Sequence, residues 1–169
     1  RLAERYPQTS SSYAEEGTRA HEIAEQCLRA FKDGMPEPVY HGDDLRIRAE
    51  LQSYIDWIVE TYNEYKDKSP DTLMLLETRV DFSSVVPDGF GTGDVIIISG
   101  STLHIIDLKF GKGVPVEAAL NPQLMLYALG ALNLFEDLYD INLVRMTINQ
   151  PRLDHISTSF ASAAEISYW

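Results

Sequence analysis

Residues 91–109 read GTGDVIIISGSTLHIIDLK, which is two branched apolar runs separated by Ser99-Gly100-Ser101. Continuous runs of this kind predict strands that are covered on both faces. The Ser-Gly turn between them favours a hairpin over a parallel crossover. Apart from His104, the polar residues of this stretch lie at the turn and at the two outer ends, where they need a separate explanation.

Charged residues at the open end of this hairpin are predicted to converge on one face. Side chains alternate along a strand, so Asp107 and Lys109 project to the same side. With a loop of either two or four residues, Asp94 falls on that side too, opposite Ile105 or Asp107. Burying such charges is costly unless they pair or bind a metal ion. The pattern therefore indicates a functional cluster.

Composition limits the possible classes of protein. The chain has 169 residues, 44% of them apolar, which predicts one domain with a substantial core. It begins and ends in sequence that reads as structured, so we interpret residues 1–169 as a domain of a longer protein. No apolar run is long enough to span a membrane. The single cysteine, Cys27, excludes an internal disulfide and a cysteine-based zinc or iron–sulfur site, and favours a cytoplasmic location.

The charge of the chain argues against a simple nucleic-acid-binding module. Fourteen basic and 26 acidic residues give a net charge of -12. Proteins that bind nucleic acid mainly by coating phosphates are basic. If DNA is the substrate, its binding requires a local basic patch, a metal ion or another part of the parent protein.

Elements around the hairpin are predicted from periodicity, caps and breakers. Ser12 and Glu15 resemble a capping box at the start of the first helix. The predicted elements are helices at 13–31, 43–65 and 117–138 and strands at 72–82 and 142–148, with residues 153–169 left unassigned. The glycines at 89, 91 and 93 do not form a dinucleotide-binding fingerprint, because a strand follows them rather than a helix. These elements predict a mixed α+β sandwich with a four-stranded sheet.

Three polar positions are ambiguous when each is considered alone. His21 lies on the apolar stripe of the first helix, where a histidine is usually part of the core. Gln123 and Tyr127 are four residues apart on one helix face and read as ordinary, partly buried polar residues. Glu77, in the middle of the first strand, either supports the charged cluster or faces the edge of the sheet.

Taken together and in order, these residues resemble a known set of motifs. The segments are Gly17–Glu22, Gly91–Asp94, Asp107–Lys109 and Gln123–Tyr127. They resemble the helical histidine, the GxxD aspartate, the acid-x-lysine strand and the QxxxY helix of the PD-(D/E)XK nuclease superfamily. Within it they resemble the RecB-like exonuclease branch and a prophage-associated exonuclease group. The Asp-x-Lys triplet alone is weakly specific, whereas the four motifs in order are strongly specific.

The resemblance, which extends from about residue 12 to residue 152, implies a fold and a catalytic set. The implied fold is a restriction-endonuclease-like core, an α/β fold with a central four-stranded mixed sheet flanked by helices. The implied catalytic residues are Asp94, Asp107 and Lys109. By the same analogy His21, both aspartates and the Leu108 carbonyl would ligate magnesium or manganese.

The resemblance also implies a substrate. DNA would be contacted by Gln123, Tyr127, Lys112 and Arg152. Some members of the branch hold an iron–sulfur cluster on four cysteines, but the lone Cys27 excludes a cluster within this chain. A recombination or annealing protein is a further expected partner, and no contact with a membrane is expected.

Three functions compete at this point. The first is a divalent-metal-dependent DNA exonuclease in phage recombination or DNA repair. The second is a catalytically silent nuclease-fold module that binds DNA or a protein. The third is a structural domain in which the hairpin carboxylates form a buried salt bridge with Lys109. The sequence leaves open the polarity of digestion, the preference for single or double strands and the oligomeric state.

Overall fold

The computed structural model describes residues 5–169, with side chains from residue 12 onward. Its helices are α1 (Arg5–Asp33), α2 (Asp43–Glu50), α3 (Gln52–Lys68), α4 (Pro122–Phe135) and α5 (Ala163–Tyr168). Its strands are β1 (Leu73–Asp81), β2 (Phe90–Ser99), β3 (Thr102–Leu108), β4 (Leu143–Gln150) and β5 (His155–Ser162). A short 3-10 helix, Pro151–Leu153, joins the last two strands.

One mixed sheet organises these elements, with the strands in the order β1-β2-β3-β4-β5. All neighbouring strands are antiparallel except β3 and β4, which are parallel and are connected through α4. A parallel pair requires such a crossover, because a tight turn can only reverse the chain. The β2–β3 hairpin therefore lies at the centre of the sheet.

Two hydrophobic cores cover the two faces of this sheet. On one face α4 and α5 pack against alternate residues of the central strands, including Ile96, Ile98 and Ile105. On the other face α1, α2 and α3 pack against the intervening residues, including Ile97 and Ile106. Burial on both faces explains why these strands read as continuous apolar runs rather than as alternating ones.

The hairpin turn is the tighter of the two forms expected. Ser99 pairs with Thr102, so the loop contains two residues. Gly100, the first of them, has a φ of 56°, a left-handed conformation that glycine adopts without a Cβ penalty. This turn fixes which side chains share a face at the far end of the hairpin.

The prediction of four strands was wrong, because the sheet has five. The fifth strand, β5, lies in the unassigned tail and forms an edge of the sheet. Its sequence, HISTSFAS, is rich in serine and lacks the apolar alternation by which strands are recognised. An edge strand with one exposed side needs few apolar residues.

Several predicted helix boundaries were also wrong. Helix α1 begins by Arg5, so Ser12 lies inside it and is not its cap. The second predicted helix is interrupted at Leu51 and continues to Lys68. Helix α4 is shorter than predicted. It begins at Pro122, and Asn121 is its N-cap, because the Asn121 side chain accepts a hydrogen bond from the Leu124 N–H at 3.2 Å.

No helix in the described part of the chain is both long and apolar enough to cross a membrane.

Candidate functional site

The two aspartates of the hairpin face each other where β2 and β3 diverge. Val95 pairs with Ile106, and the next step of the same register puts Asp94 opposite Asp107. Both side chains are largely shielded from solvent, with exposed fractions of 11% for Asp94 and 7% for Asp107. The register set by the two-residue turn therefore places the two carboxylates on the same face of the hairpin, as predicted.

Asp94 is held by the backbone of the opposite strand. Its Oδ2 accepts a hydrogen bond from the Leu108 N–H at 2.7 Å. Hydrogen bonds to a carboxylate are stronger than those between neutral groups, so this contact fixes the end of β3 against β2. It also directs the Asp94 carboxylate toward the Leu108 peptide, where the resemblance implies a metal ligand.

Asp107 is the less satisfied of the two carboxylates. Lys109 Nζ lies 3.0 Å from Asp107 Oδ2, an ion-pair distance. The angles of this pair do not make a hydrogen bond, so buried Oδ2 has no hydrogen-bond donor. Burial, followed by repulsion from Asp94, raises the pKa of Asp107 to about 6, against the opposing charge of Lys109.

Helix α4 supplies a polar chain that ends on Lys109. Lys109 Nζ donates to Gln123 Oε1 at 2.9 Å, and Gln123 Nε2 donates to the Tyr127 hydroxyl at 3.2 Å. The Tyr127 ring lies directly against Gly91, where an added Cβ would be 2.7 Å from Tyr127 Cζ. Gly91 is thus the residue that allows the helix this close to β2.

His21 approaches the same site from α1. Its Nδ1 donates to the Gly17 carbonyl at 2.8 Å, and its Nε2 lies 3.0 Å from the Leu108 carbonyl and 3.5 Å from Asp94 Oδ2. Burial opposes a charge on this ring, but the hydrogen bond and charge of Asp94 outweigh it and raise the pKa of His21 to about 9. The side chain is one-third exposed, so His21 is not the enclosed core histidine that its helix alone indicated.

Glu77 lies beside Asp94 and lines the same cleft. The sequence had left open whether it supports the charged cluster or faces the edge of the sheet. The pairing of Thr78 with Gly93 puts Glu77 opposite Asp94. Its φ of 46° is unusual for a residue with a side chain and interrupts the β1–β2 ladder. Burial, followed by the charge of Asp94, raises the pKa of Glu77 to about 7. It lines a cleft of about 440 Å³ with His21 and Asp94.

The two cations expected to meet phosphates lie in different environments. Lys112 is exposed on the loop after β3. Arg152 is largely buried: its guanidinium lies 3.1 Å from Glu16, 3.3 Å from Glu50 and 4.8 Å from the Phe110 ring centre. Arg152 is already neutralised by carboxylates, whereas Lys112 makes no ion pair among the described residues.

The groups that could receive a divalent cation are mainly oxygens. Among the described residues, no three His, Cys, Asp or Glu side chains form a group that could hold a metal ion. Magnesium, however, is commonly held by one or two carboxylates and water, without a full protein cage. Asp107 Oδ2 is buried and has only the Lys109 ammonium, at 3.0 Å, as a partner, so this oxygen could also face a metal ion. His21 Nδ1 donates to a backbone carbonyl, as in metal-bound histidines, but Nε2 faces the Leu108 carbonyl and would become a ligand only on losing its proton.

The chain matches a family model over its whole length. The family model described as "Protein of unknown function (DUF2800)" matches residues 1–169, so the chain belongs to that family.

Proposed function

We propose that this chain is a divalent-metal-dependent nuclease that hydrolyses phosphodiester bonds in DNA. One observation carries the proposal: the predicted motif residues meet around Lys109. Lys109 contacts Asp107 and Gln123 directly. Asp94 lies opposite Asp107, and Tyr127 holds Gln123. These are the motifs that resemble the PD-(D/E)XK nucleases. An exonuclease of the RecB-like branch, acting in phage recombination or repair, is the specific form that we propose.

The proposed ligands are Asp94, Asp107, the Leu108 carbonyl and His21. Asp107 offers a buried oxygen that is paired only with Lys109, and the Leu108 carbonyl lies 3.0 Å from His21 Nε2, which is 3.5 Å from Asp94 Oδ2. A bound magnesium or manganese ion would activate water and neutralise charge on the phosphate. A histidine ligand would shift the preference toward manganese, since imidazole is softer than carboxylate.

Lys109 is the proposed catalytic cation. Its ammonium group lies between Asp107 and Gln123, at 3.0 and 2.9 Å, so its position is fixed from both sides. A cation held in this way can orient the attacking water or stabilise the charge that develops on the phosphate without reorganising during the reaction. Gln123 in turn is held by Tyr127, which makes these two residues the positioning pair for Lys109.

Substrate binding would depend on few cations. The chain has a net charge of -12, and Arg152 is engaged by Glu16 and Glu50. We propose that Lys112 contacts the DNA backbone near the site and that a metal ion, or a recombination or annealing partner, supplies the remaining attraction. A cytoplasmic location is part of the same proposal.

A second candidate rests on the charge balance of the site. Asp94 faces His21, whose pKa of about 9 keeps it cationic at neutral pH, and Asp107 faces Lys109. Two carboxylates and two cations can neutralise each other without a metal ion. This arrangement favours a structural or binding module over an enzyme, and it is the alternative that the experiment must exclude.

The test is degradation of linear DNA by the purified protein in millimolar manganese or magnesium. Lys109→Ala and Asp107→Ala should each abolish cleavage, because each removes part of the catalytic set. Asp71→Ala, which removes an exposed carboxylate on the turn before β1, should leave cleavage unchanged. Covalently closed circular DNA distinguishes the exonuclease, which cannot degrade it, from an endonuclease. Cleavage that persists in both site variants would exclude the assigned residues.

A further inference from the structure

A second cationic cleft lies at the opposite end of β3 from the candidate nuclease site. It encloses about 320 Å³ beside the hairpin turn and is lined by Arg145 and Lys68 together with the polar residues Tyr65, Ser69, Ser99 and Thr102. Thr102 and Asp107 are five residues apart on β3, which is about 17 Å at about 3.3 Å per residue. We name this feature the Arg145 cleft. It is too distant from Asp107 to hold the same phosphate.

Among the arginines whose side chains the structure describes, Arg145 and Arg79 are the two that make no ion pair with a carboxylate. Other arginines of the chain, such as Arg19, Arg48 and Arg152, each lie within 3.3 Å of an aspartate or glutamate. In the described part of the chain Arg145 makes no ion pair, and its buried Nε has no hydrogen-bond partner. Arg145 lines the cleft, so an anion there would meet a positive charge that the described residues leave unpaired.

The orientation of Arg145 is fixed by a buried polar chain. One terminal nitrogen, Nη1, donates to the Tyr65 hydroxyl at 3.3 Å. That hydroxyl lies 3.1 Å from His104 Nδ1, while His104 Nε2 lies 2.8 Å from Thr147 Oγ1. Burial holds the pKa of His104 well below its usual range, so the ring is neutral. The Tyr65 hydroxyl then donates to His104 Nδ1 and accepts from Arg145 Nη1, which leaves the remaining terminal N–H groups of Arg145 without a partner among the described residues.

Aromatic rings restrict the guanidinium further. Its carbon lies 6.0 Å from the ring centre of Trp57 and 5.8 Å from that of Phe160. Contacts of this kind hold an arginine in place without neutralising its charge. The positive charge therefore remains available to an anion.

Lys68 and hydroxyl groups complete the lining. Lys68, at the end of α3, is exposed and makes no ion pair within the described residues. The Ser99 hydroxyl is already engaged, 2.7 Å from Thr72 Oγ1 and 3.4 Å from the Tyr65 carbonyl. The Ser69 and Thr102 hydroxyls remain as neutral donors. An arginine, a lysine and hydroxyls around one space are the groups that recognise tetrahedral oxyanions.

One carboxylate opposes this interpretation. Glu64 also lines the cleft, and the end of α3 carries the negative pole of the helix dipole. Glu64 is exposed to solvent, which screens its repulsion. Arg145 is less exposed than Glu64 and has no carboxylate partner among the described residues, so its charge is less screened by solvent.

We propose that the Arg145 cleft binds a phosphate-type oxyanion, either as free phosphate or as the phosphate of a nucleotide. The volume of the cleft is several times the roughly 30 Å³ that one water molecule occupies in the liquid, so it has room for more than a solvent molecule. The site is separate from the proposed nuclease centre and does not require a metal ion.

Isothermal titration calorimetry with inorganic phosphate and with adenosine monophosphate tests this site. Both titrations are made at constant ionic strength in EDTA, so that neither screening nor a metal ion contributes. We expect the wild type to bind at least one of these ligands, and Arg145→Gln to weaken binding at least tenfold. Binding of both shows recognition of the phosphate itself, whereas binding of the nucleotide alone shows that the base and sugar contribute.

Three further variants keep the test decisive. Lys68→Gln, a change at an exposed residue, should weaken binding by about two- to fivefold without affecting folding. Arg145→Lys, which keeps the charge but lacks Nε, should bind with intermediate affinity. Arg79→Gln removes an arginine that stacks on Phe90 at 4.0 Å, away from the cleft, and should bind like the wild type.

Two results would overturn the proposal. One is the absence of binding by the wild type at 20 mM of either ligand. The other is unchanged affinity in Arg145→Gln. If Arg145→Gln does not fold, unchanged affinity in folded Lys68→Gln overturns the proposal equally.

Discussion

Replacing Asp107 by asparagine is expected to stabilise the metal-free protein at neutral pH. The carboxylate is 7% exposed, its Oδ2 has no hydrogen-bond donor, and Asp94 lies opposite it. An asparagine of the same shape carries no charge to desolvate and no repulsion toward Asp94. A residue retained at a cost to folding is characteristic of a functional site.

The magnitude follows from the pKa of Asp107. A rise from the ordinary 3.8 to about 6 corresponds to about 3 kcal/mol of destabilisation of the charged form. The substitution also removes the ion pair between Asp107 and Lys109. The Lys109 side chain is one-third exposed, and it keeps its hydrogen bond to Gln123. The pKa of about 6 already includes the attraction of Lys109, so the loss of that pair is not subtracted again, and about 3 kcal/mol is the upper limit of the gain. We therefore expect a net gain of about 1–3 kcal/mol, or about 2–8 °C in Tm for a chain of this size.

The effect has a defined pH dependence. Because the pKa of Asp107 is raised in the folded protein, this group favours folding below about pH 4, where it is protonated in both states. That contribution is lost as the pH rises through about 6. Asparagine does not titrate, so the Tm difference between variant and wild type should be largest above pH 7 and disappear near pH 4.

Thermal unfolding in EDTA at pH 4, 5.5 and 7.5 measures this difference. Asp94→Asn is the matched comparison and should gain less Tm than Asp107→Asn at pH 7.5, because relief of the repulsion toward Asp107 and Glu77 is offset by weaker contacts elsewhere. Its carboxylate accepts the Leu108 N–H at 2.7 Å and faces the His21 ring, so removing its charge weakens two favourable contacts. A lower Tm for Asp107→Asn at pH 7.5, or a Tm difference that is constant down to pH 4, would refute the reasoning.

Three further predictions concern the packing, metal binding and activity of the site. Gly91→Ala should cost about 1–3 kcal/mol because its Cβ would overlap the Tyr127 ring, whereas Gly113→Ala, with no atom within 4 Å, should leave Tm unchanged. The cost should shrink in a Tyr127→Ala background, and an equal cost there would contradict the contact. Millimolar manganese should raise the Tm of the wild type and not that of Asp94→Asn; identical responses would favour the structural alternative. Gln123→Ala should reduce DNA cleavage by about 10- to 100-fold with little change in Tm, and full activity would show that the positioning pair is dispensable.

The hairpin could be predicted from the sequence because its geometry is local. Two apolar runs joined by a Ser-Gly turn allow only a few registers, and side-chain alternation then determines which residues share a face. The sequence left a choice between Ile105 and Asp107 as the residue opposite Asp94. The position of the loop at Gly100-Ser101 selects Asp107, since Ser99 pairs with Thr102.

Elements at the edges of the fold were less predictable for physical reasons. Strand β5 is stabilised mainly by its pairing with β4 and has few apolar side chains of its own, so its sequence resembles a polar loop. The start of α1 was placed too late because Ser12 and Glu15 match a capping box. That pattern is compatible with a helix interior, and only the continued hydrogen bonding of the preceding residues distinguishes the two.

Contacts between helices and the hairpin depend on tertiary packing, which neither periodicity nor local spacing specifies. Helical spacing puts His21 on an apolar stripe, yet its ring reaches the Leu108 carbonyl, 87 residues away in sequence. Glu77 was ambiguous because its left-handed φ of 46° breaks the alternation from which a strand face is read. Both residues border the Asp94 carboxylate, and both have a pKa that Asp94 raises. The hairpin thus determines the charge at the centre of the site, and long-range packing determines which neighbours respond to it.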